Sequence, residues 1–199
     1  MNERKKKEAL DITKKLPQRY NFALAAINAL YDEIYECTIF QLNGAAITLC
    51  SILVEFALKE ALYFYENNRS FEYKPDLWDR YENMTLAPVI QRAKEIKLVD
   101  DDIAARLTAF KDEIRNPYNH YNTKKIAKYV VAGNVRVINV QTHEMKTVTL
   151  EAKDNPMIRA QAKRVVDREM VLPVLLFADG IVRHLFTKLE KDSQTAEKK

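Results

Sequence analysis

A mainly α-helical fold, with a small β-hairpin inserted ahead of a long C-terminal helix, is what this sequence predicts. Three observations carry that expectation. Apolar residues recur at helical spacing through most of the 199 positions. Only 3 glycines and 6 prolines are present, too few turn formers for a sandwich or barrel. One stretch, Tyr129 to Ala152, instead alternates Val130, Val131, Val135, Val137 and Val140 with polar residues, then Val148 and Leu150, the pattern of paired strands. With 47% hydrophobic residues the chain can bury one substantial core. We therefore expect a single domain over 1–190: a helical core over about 19–128, the hairpin over about 129–152, and the last helix over about 156–190. The charged stretch 191–199 is expected to be a disordered tail.

The elements follow in order. Lys5 to Leu16 is a basic helical segment stopped by Pro17. From Arg19, the series Phe22, Leu24, Ala25, Ile27, Leu30 and Ile34 predicts a first core helix. Asn43-Gly44 then punctuates the chain. Ala45 to Asn67 carries a wide apolar face over about six turns, as a central helix would. The segment from Asn68 to Asn83, with Pro75 and Trp78, reads as a connecting loop whose Tyr73 and Trp78 pack over helix ends. Thr85 can cap the next helix, with Pro88 tolerated in its first turn. One of Asp100, Asp101 and Asp102 caps another, on which Ile103, Leu107, Phe110 and Ile114 share a face. In the hairpin, Gly133-Asn134 is a bulge or turn, and the strands join around Gln141 to Glu144. Beyond Asn155-Pro156, apolar residues from Ile158 to Phe186 predict a long helix interrupted at Pro173.

Several function classes are excluded. Cys37 and Cys50 lie in apolar helical patterns with no partner spacing, and read as buried free thiols of a reducing compartment. The charged start, Asn-Glu-Arg-Lys-Lys-Lys, has no apolar run behind it, so a cytoplasmic protein without a secretory signal is expected. The apolar run Gly44 to Val54 falls short of the ~18 residues of a membrane span. His120, His143 and His184 are scattered, with no H-E-x-x-H and no cysteine pair, and there is no Walker A or G-x-S-x-G motif. Neither metal nor cofactor is expected. A net charge of +4 permits nucleic-acid binding without requiring it.

The stretch closest to chemistry is Ile114-Arg115-Asn116-Pro117-Tyr118-Asn119-His120-Tyr121. It joins a permanent cation to a side chain that titrates near neutral pH. Proline disfavours helix at the residue before it, so the helix from Asp102 should stop or bend near Asn116. Asn116 then serves as N-cap and Pro117 as first residue of a new helix, placing His120 on a first turn whose free N–H groups favour an anion. In an unbroken helix Arg115 and His120 would diverge by about 140°, whereas the break lets them converge on one cleft. A second account stays open from spacing alone: Arg115 pairs with Asp112 or Glu113, His120 bonds a backbone carbonyl, and Asn116 only caps.

Arg115-Asn116-Pro117-Tyr118-Asn119-His120 resembles the R-x4-6-H motif of the HEPN superfamily, in which a polar residue, often asparagine, follows the arginine. The order of helices over roughly Arg19 to Lys128 is similar to the HEPN four-helix bundle core. The resemblance implies a metal-independent endoribonuclease, working as a homodimer in RNA processing, as a toxin with an antitoxin partner, or as an effector of antiviral defence. It implies His120 as general acid or base, Arg115 holding the scissile phosphate and Asn116 positioning it. Tyr118 and Tyr121 could stack on bases or merely pack, and Lys124, Lys125 and Lys128 could track an RNA backbone or line a solvated face. Glu55, between Val54 and Phe56, could orient Arg115 or His120, or point outward. Two alternatives remain: a non-catalytic HEPN-like module binding RNA or nucleotide, and a helical scaffold protein.

Overall fold

In a computed structural model of the protein, residues 10–70, 72–138 and 141–196 are described, with side chains as far as 189. The chain is mainly helical. The helices are α1 (Ala25–Ile39), α2 (Asn43–Glu66), α3 (Pro75–Glu82), α4 (Leu86–Glu95), α5 (Asp101–Phe110), the short α6 (Asn116–Asn119) and α7 (Thr123–Ile126), and α8 (Pro156–Ala196). Strands β1 (Val131–Ile138) and β2 (Met145–Glu151) form a two-stranded antiparallel hairpin between α7 and α8.

The bundle is organised around α2. Ala46, Ile47, Cys50, Leu53, Val54, Ala57, Leu58, Ala61 and Leu62 are all buried, more than a single helical stripe, because partners cover α2 on several sides. α1 presents Ile27, Tyr31, Ile34 and Tyr35 from one side, and α8 lies along another with Val171, Val174, Leu175, Ala178, Val182 and Leu185. α4 adds Leu86, Val89, Ile90 and Ala93, and α5 adds Ala104, Leu107 and Phe110, whose ring stacks on Phe177 of α8 at 4.8 Å. By length and composition alone, Pro156–Leu189 would suffice to cross a membrane. Its apolar face is the one that covers α2.

Burial explains both cysteines: Cys50 is pushed up to about 12 by desolvation, and Cys37 is raised for the same reason. It also marks one weak point of α2. Glu60, half-buried and without an ion-pair partner among the described residues, has its carboxyl raised by desolvation. Its contribution is therefore most favourable below the unfolded carboxylate range and is lost as pH rises through the raised folded value. Glu60→Gln should increase stability at pH 7 and leave it unchanged below about pH 4. Denaturant midpoints at the two pH values check this.

Four sequence expectations are corrected. The expected loop over Asn68 to Asn83 holds α3, an eight-residue helix opened by Pro75 at its first position with Asp76 in its first turn. Its Trp78 packs edge-on against Tyr63 of α2 at 5.4 Å, whereas Tyr73 is exposed. Pro173 does not interrupt α8: Pro173 and Glu169 both face solvent, where water can satisfy the carbonyl that a proline releases. The helix also continues through 191–196, where a disordered tail was expected, since Lys191 to Ala196 contains no breaker; residues 197–199 lie outside the described residues. The first core helix starts at Ala25, not near Arg19, although Phe22 is buried beside Tyr31.

Of the basic N-terminal segment, residues 10–13 form a helical turn, and the part over Lys5 to Ala9 lies outside the described residues. In the hairpin, the register shifts between Ala132 and Val135, with Asn134 at φ 55. Asp100 caps α5 by accepting the Ile103 N–H at 2.8 Å; Thr85 precedes α4 without a side-chain cap.

Candidate functional site

The helix carrying Arg115 does not break at Pro117. After Phe110 the backbone widens into one π turn, Lys111–Arg115, in which the Asn116 N–H bonds to the Lys111 carbonyl, and it returns to α geometry over Asn116–Asn119. Arg115 and Asn116 both keep helical dihedrals, at φ −57, ψ −52 and φ −67, ψ −46. The extra residue in the turn offers a way to seat the proline ring where a regular helix would drive it into the carbonyl four residues back.

This changes the chemistry of the motif. Asn116 is not an N-cap; its Oδ1 accepts from Arg115 Nη1 at 3.1 Å. His120 is at the C-terminal end of the helix, not the first turn of a new one, with its N–H on the Asn116 carbonyl. The field there is that of carbonyl oxygens, so the expected anion-favouring N–H groups are not what His120 meets. Tyr121 then turns the chain at φ 47, a left-handed conformation uncommon for an aromatic residue.

Arg115 faces α2. Its Nε and Nη2 both donate to Glu55 Oε2, at 3.2 and 2.9 Å, rather than to Asp112 or Glu113. Glu55 Oε1 takes Lys59 at 3.1 Å, and Lys59 also donates to the Glu82 carbonyl at 3.0 Å. One turn beyond Arg115, Asn119 Oδ1 lies 3.1 Å from the Ser51 hydroxyl, whose single proton is shared with the Thr48 carbonyl. Arg115, Glu55, Lys59 and Asn119 thus line a cleft of about 360 Å³, closed on its apolar side by Ile52, Phe56 and Trp78.

His120 does not line this cleft. Its imidazole is exposed and hydrogen-bonds to nothing among the described residues. The structure therefore brings together Arg115 and Glu55, keeps Asn116 on the guanidinium, and leaves His120 next in the chain after the cleft-lining Asn119. His143 is exposed on the hairpin turn, and His184 is half-buried in α8 with its Nε2 unpartnered.

Tyr118 is unavailable for base stacking. It is buried, with its hydroxyl donating to Asp167 Oδ1 of α8 at 2.7 Å. Burial, then the hydrogen bond and the charge of Asp167, push its phenol far above the ordinary range. Lys163, one turn earlier in α8, pairs with Asp167 Oδ2 at 2.6 Å and lies over both the Tyr118 and Tyr121 rings, at 5.1 and 5.3 Å. Gly44, in the first turn of α2, leaves room for this group: a Cβ there would meet Asp167 Oδ2 at 3.0 Å and Lys163 Nζ at 3.1 Å. Tyr121 itself is 71% exposed, enough for one face to meet a ligand. Lys124 and Lys125 are exposed on α7, whereas Lys128 is taken by Glu113.

Sequence reasoning missed Asn119, Lys59 and Trp78 in the cleft, the buried Ser51 that bonds to Asn119, and Lys163 and Asp167 behind the motif. Asn119 had a usable signal, since four residues from Arg115 means the same helical face. The others are brought in by packing. Among the described residues, no group of three or more His, Cys, Asp or Glu side chains could hold a metal ion. Comparison of the chain with protein-family models, with curated proteins and with solved structures finds no match.

Proposed function

We propose that this chain is a HEPN-type, metal-independent endoribonuclease with a four-helix core of that kind, acting in the cytoplasm as a homodimer. One observation carries the reading: the imidazole of His120, exposed and without a hydrogen bond among the described residues, follows directly on a cleft floored by Arg115. An imidazole left open to solvent is free to exchange protons with a substrate. Arg115, already oriented by Glu55 and Asn116, supports the role of phosphate holder.

The chemistry follows from those two groups. His120 takes the proton of a ribose 2′-hydroxyl, the 2′-oxygen forms a bond to phosphorus, and the bond from phosphorus to the 5′-oxygen breaks. Arg115 balances the charge added to the phosphoryl oxygens, with Asn116 holding its guanidinium. The leaving 5′-oxygen needs a proton, and His120 of a second copy can give it, which is the reason to expect a dimer. The products are a 2′,3′-cyclic phosphate and a 5′-hydroxyl end. Exposed Lys124, Lys125 and Tyr121 offer contacts to the flanking RNA. A role as toxin or defence effector, held by an antitoxin or another partner protein, belongs to the same proposal.

A second reading has its own support: Glu55 neutralises Arg115, and His120 stands outside the cleft. These features suit a module that binds RNA or nucleotide without cutting it. The experiment separating the two is incubation of mixed-sequence RNA with the protein in EDTA, with end-group analysis. Cyclic-phosphate ends support the nuclease, binding without cleavage supports the module, and neither would overturn both.

A further inference from the structure

The cleft beside Arg115 has two walls of different chemistry. On the polar wall, Arg115 directs two N–H groups at one oxygen of Glu55, a donor fork that equally suits a phosphate oxygen. Glu55 does not depend on that contact alone. Its other oxygen is already on Lys59, and Lys59 is anchored to the Glu82 carbonyl. The carboxylate can release Arg115 and still keep a cation. Both partners are reachable from solvent, with 23% of the Arg115 side chain and 18% of that of Glu55 exposed.

The other wall is apolar. Ile52 is 43% exposed on the central helix, and beside it stand Phe56 and Trp78, the Trp78 ring held perpendicular to Tyr63. A flat aromatic face fixed by its neighbour is a surface on which a base can stack without further ordering. The volume of about 360 Å³ is at the low end of the ~300–1,000 Å³ of ligand sites, suited to one nucleotide rather than a stacked run.

We propose that this cleft is a single-nucleotide subsite in which the phosphate takes Arg115 from Glu55, Glu55 stays on Lys59, and the base lies against Trp78, Phe56 and Ile52. This rests on the nucleic-acid reading above and adds the element that reads the substrate. Glu55 is then a placeholder that keeps Arg115 aimed while the site is empty.

Trp78 is the single tryptophan of the chain, so its emission reports this cleft alone. Adenosine 5′-monophosphate titrated into the full chain should quench it saturably, inorganic phosphate should compete, and Arg115→Ala should abolish the effect. Glu55→Asp keeps the net charge but draws the carboxylate back from Arg115, and should tighten the nucleotide about fivefold; Glu55→Gln should act in the same direction. Trp78→Ala, read by calorimetry, should weaken the nucleotide about tenfold and leave inorganic phosphate unchanged. Unchanged emission alongside RNA binding that still needs Arg115 would overturn the subsite and spare the nucleic-acid reading. So would Glu55 variants that bind no tighter. Loss of both nucleotide and RNA binding would overturn the two together.

Discussion

On the ribonuclease reading, His120→Ala lowers the rate of RNA cleavage by about 100-fold or more and leaves the unfolding midpoint where it was. The two halves have separate causes. A positioned general acid or base contributes roughly 10²–10⁴-fold, and no other histidine stands near enough in the chain to replace this one. Stability is indifferent because the side chain is exposed and hydrogen-bonds to nothing among the described residues, so its removal stays within about 0.5 kcal/mol. Arg115→Ala should match the loss of cleavage, while Glu55 remains paired with Lys59. His143→Ala, on the hairpin turn, is the control expected to cut normally. Cleavage at the wild-type rate by the His120 variant would end the nuclease proposal.

The largest loss of stability is expected from Asp167→Ala. Asp167 is 8% exposed and serves two partners, the buried Tyr118 hydroxyl and the half-buried Lys163 ammonium. Removing it strands a cation whose side chain is only 12% exposed and leaves the phenol without its acceptor. Breaking one side of such a pair costs about 3 kcal/mol. Tyr118→Phe removes only the hydroxyl, leaves the ion pair whole, and should cost about 1 kcal/mol. Urea unfolding of the two variants separates these costs. Equal values would mean that the Lys163–Asp167 pair contributes nothing beyond the tyrosine bond.

What could be read from the sequence were features written in local pattern. α2 and α8 follow from wide apolar faces, the cap of α5 from an aspartate ahead of a periodic run, and the hairpin from valines at alternate positions. α3 escaped because eight residues with a single buried side chain, Tyr81, make too short a periodic signal, although Pro75 and Asp76 marked its start. The π turn escaped for a different reason. The rule that a helix ends before proline is a statement about regular α geometry, and one widened turn sidesteps it. The pairing of Tyr118 with Asp167, 49 positions apart, leaves no trace in either residue's neighbourhood, whereas Glu55, a carboxylate set between Val54 and Phe56, was open to a role at Arg115, 60 positions on. The motif was therefore legible as a set of residues, while its surroundings, and the end of the helix on which His120 falls, were not.

The contact between Tyr118 and Asp167 also orders events in time. The ribosome delivers Arg115 to Tyr121 well before residues 163–167, and α8, which covers α2 and holds Tyr118, emerges after the hairpin. A nascent chain that has made the motif but not yet α8 has a bare central helix and an unanchored tyrosine. The helix that carries Arg115 therefore gains its clamp through Tyr118 only once translation has passed residue 167.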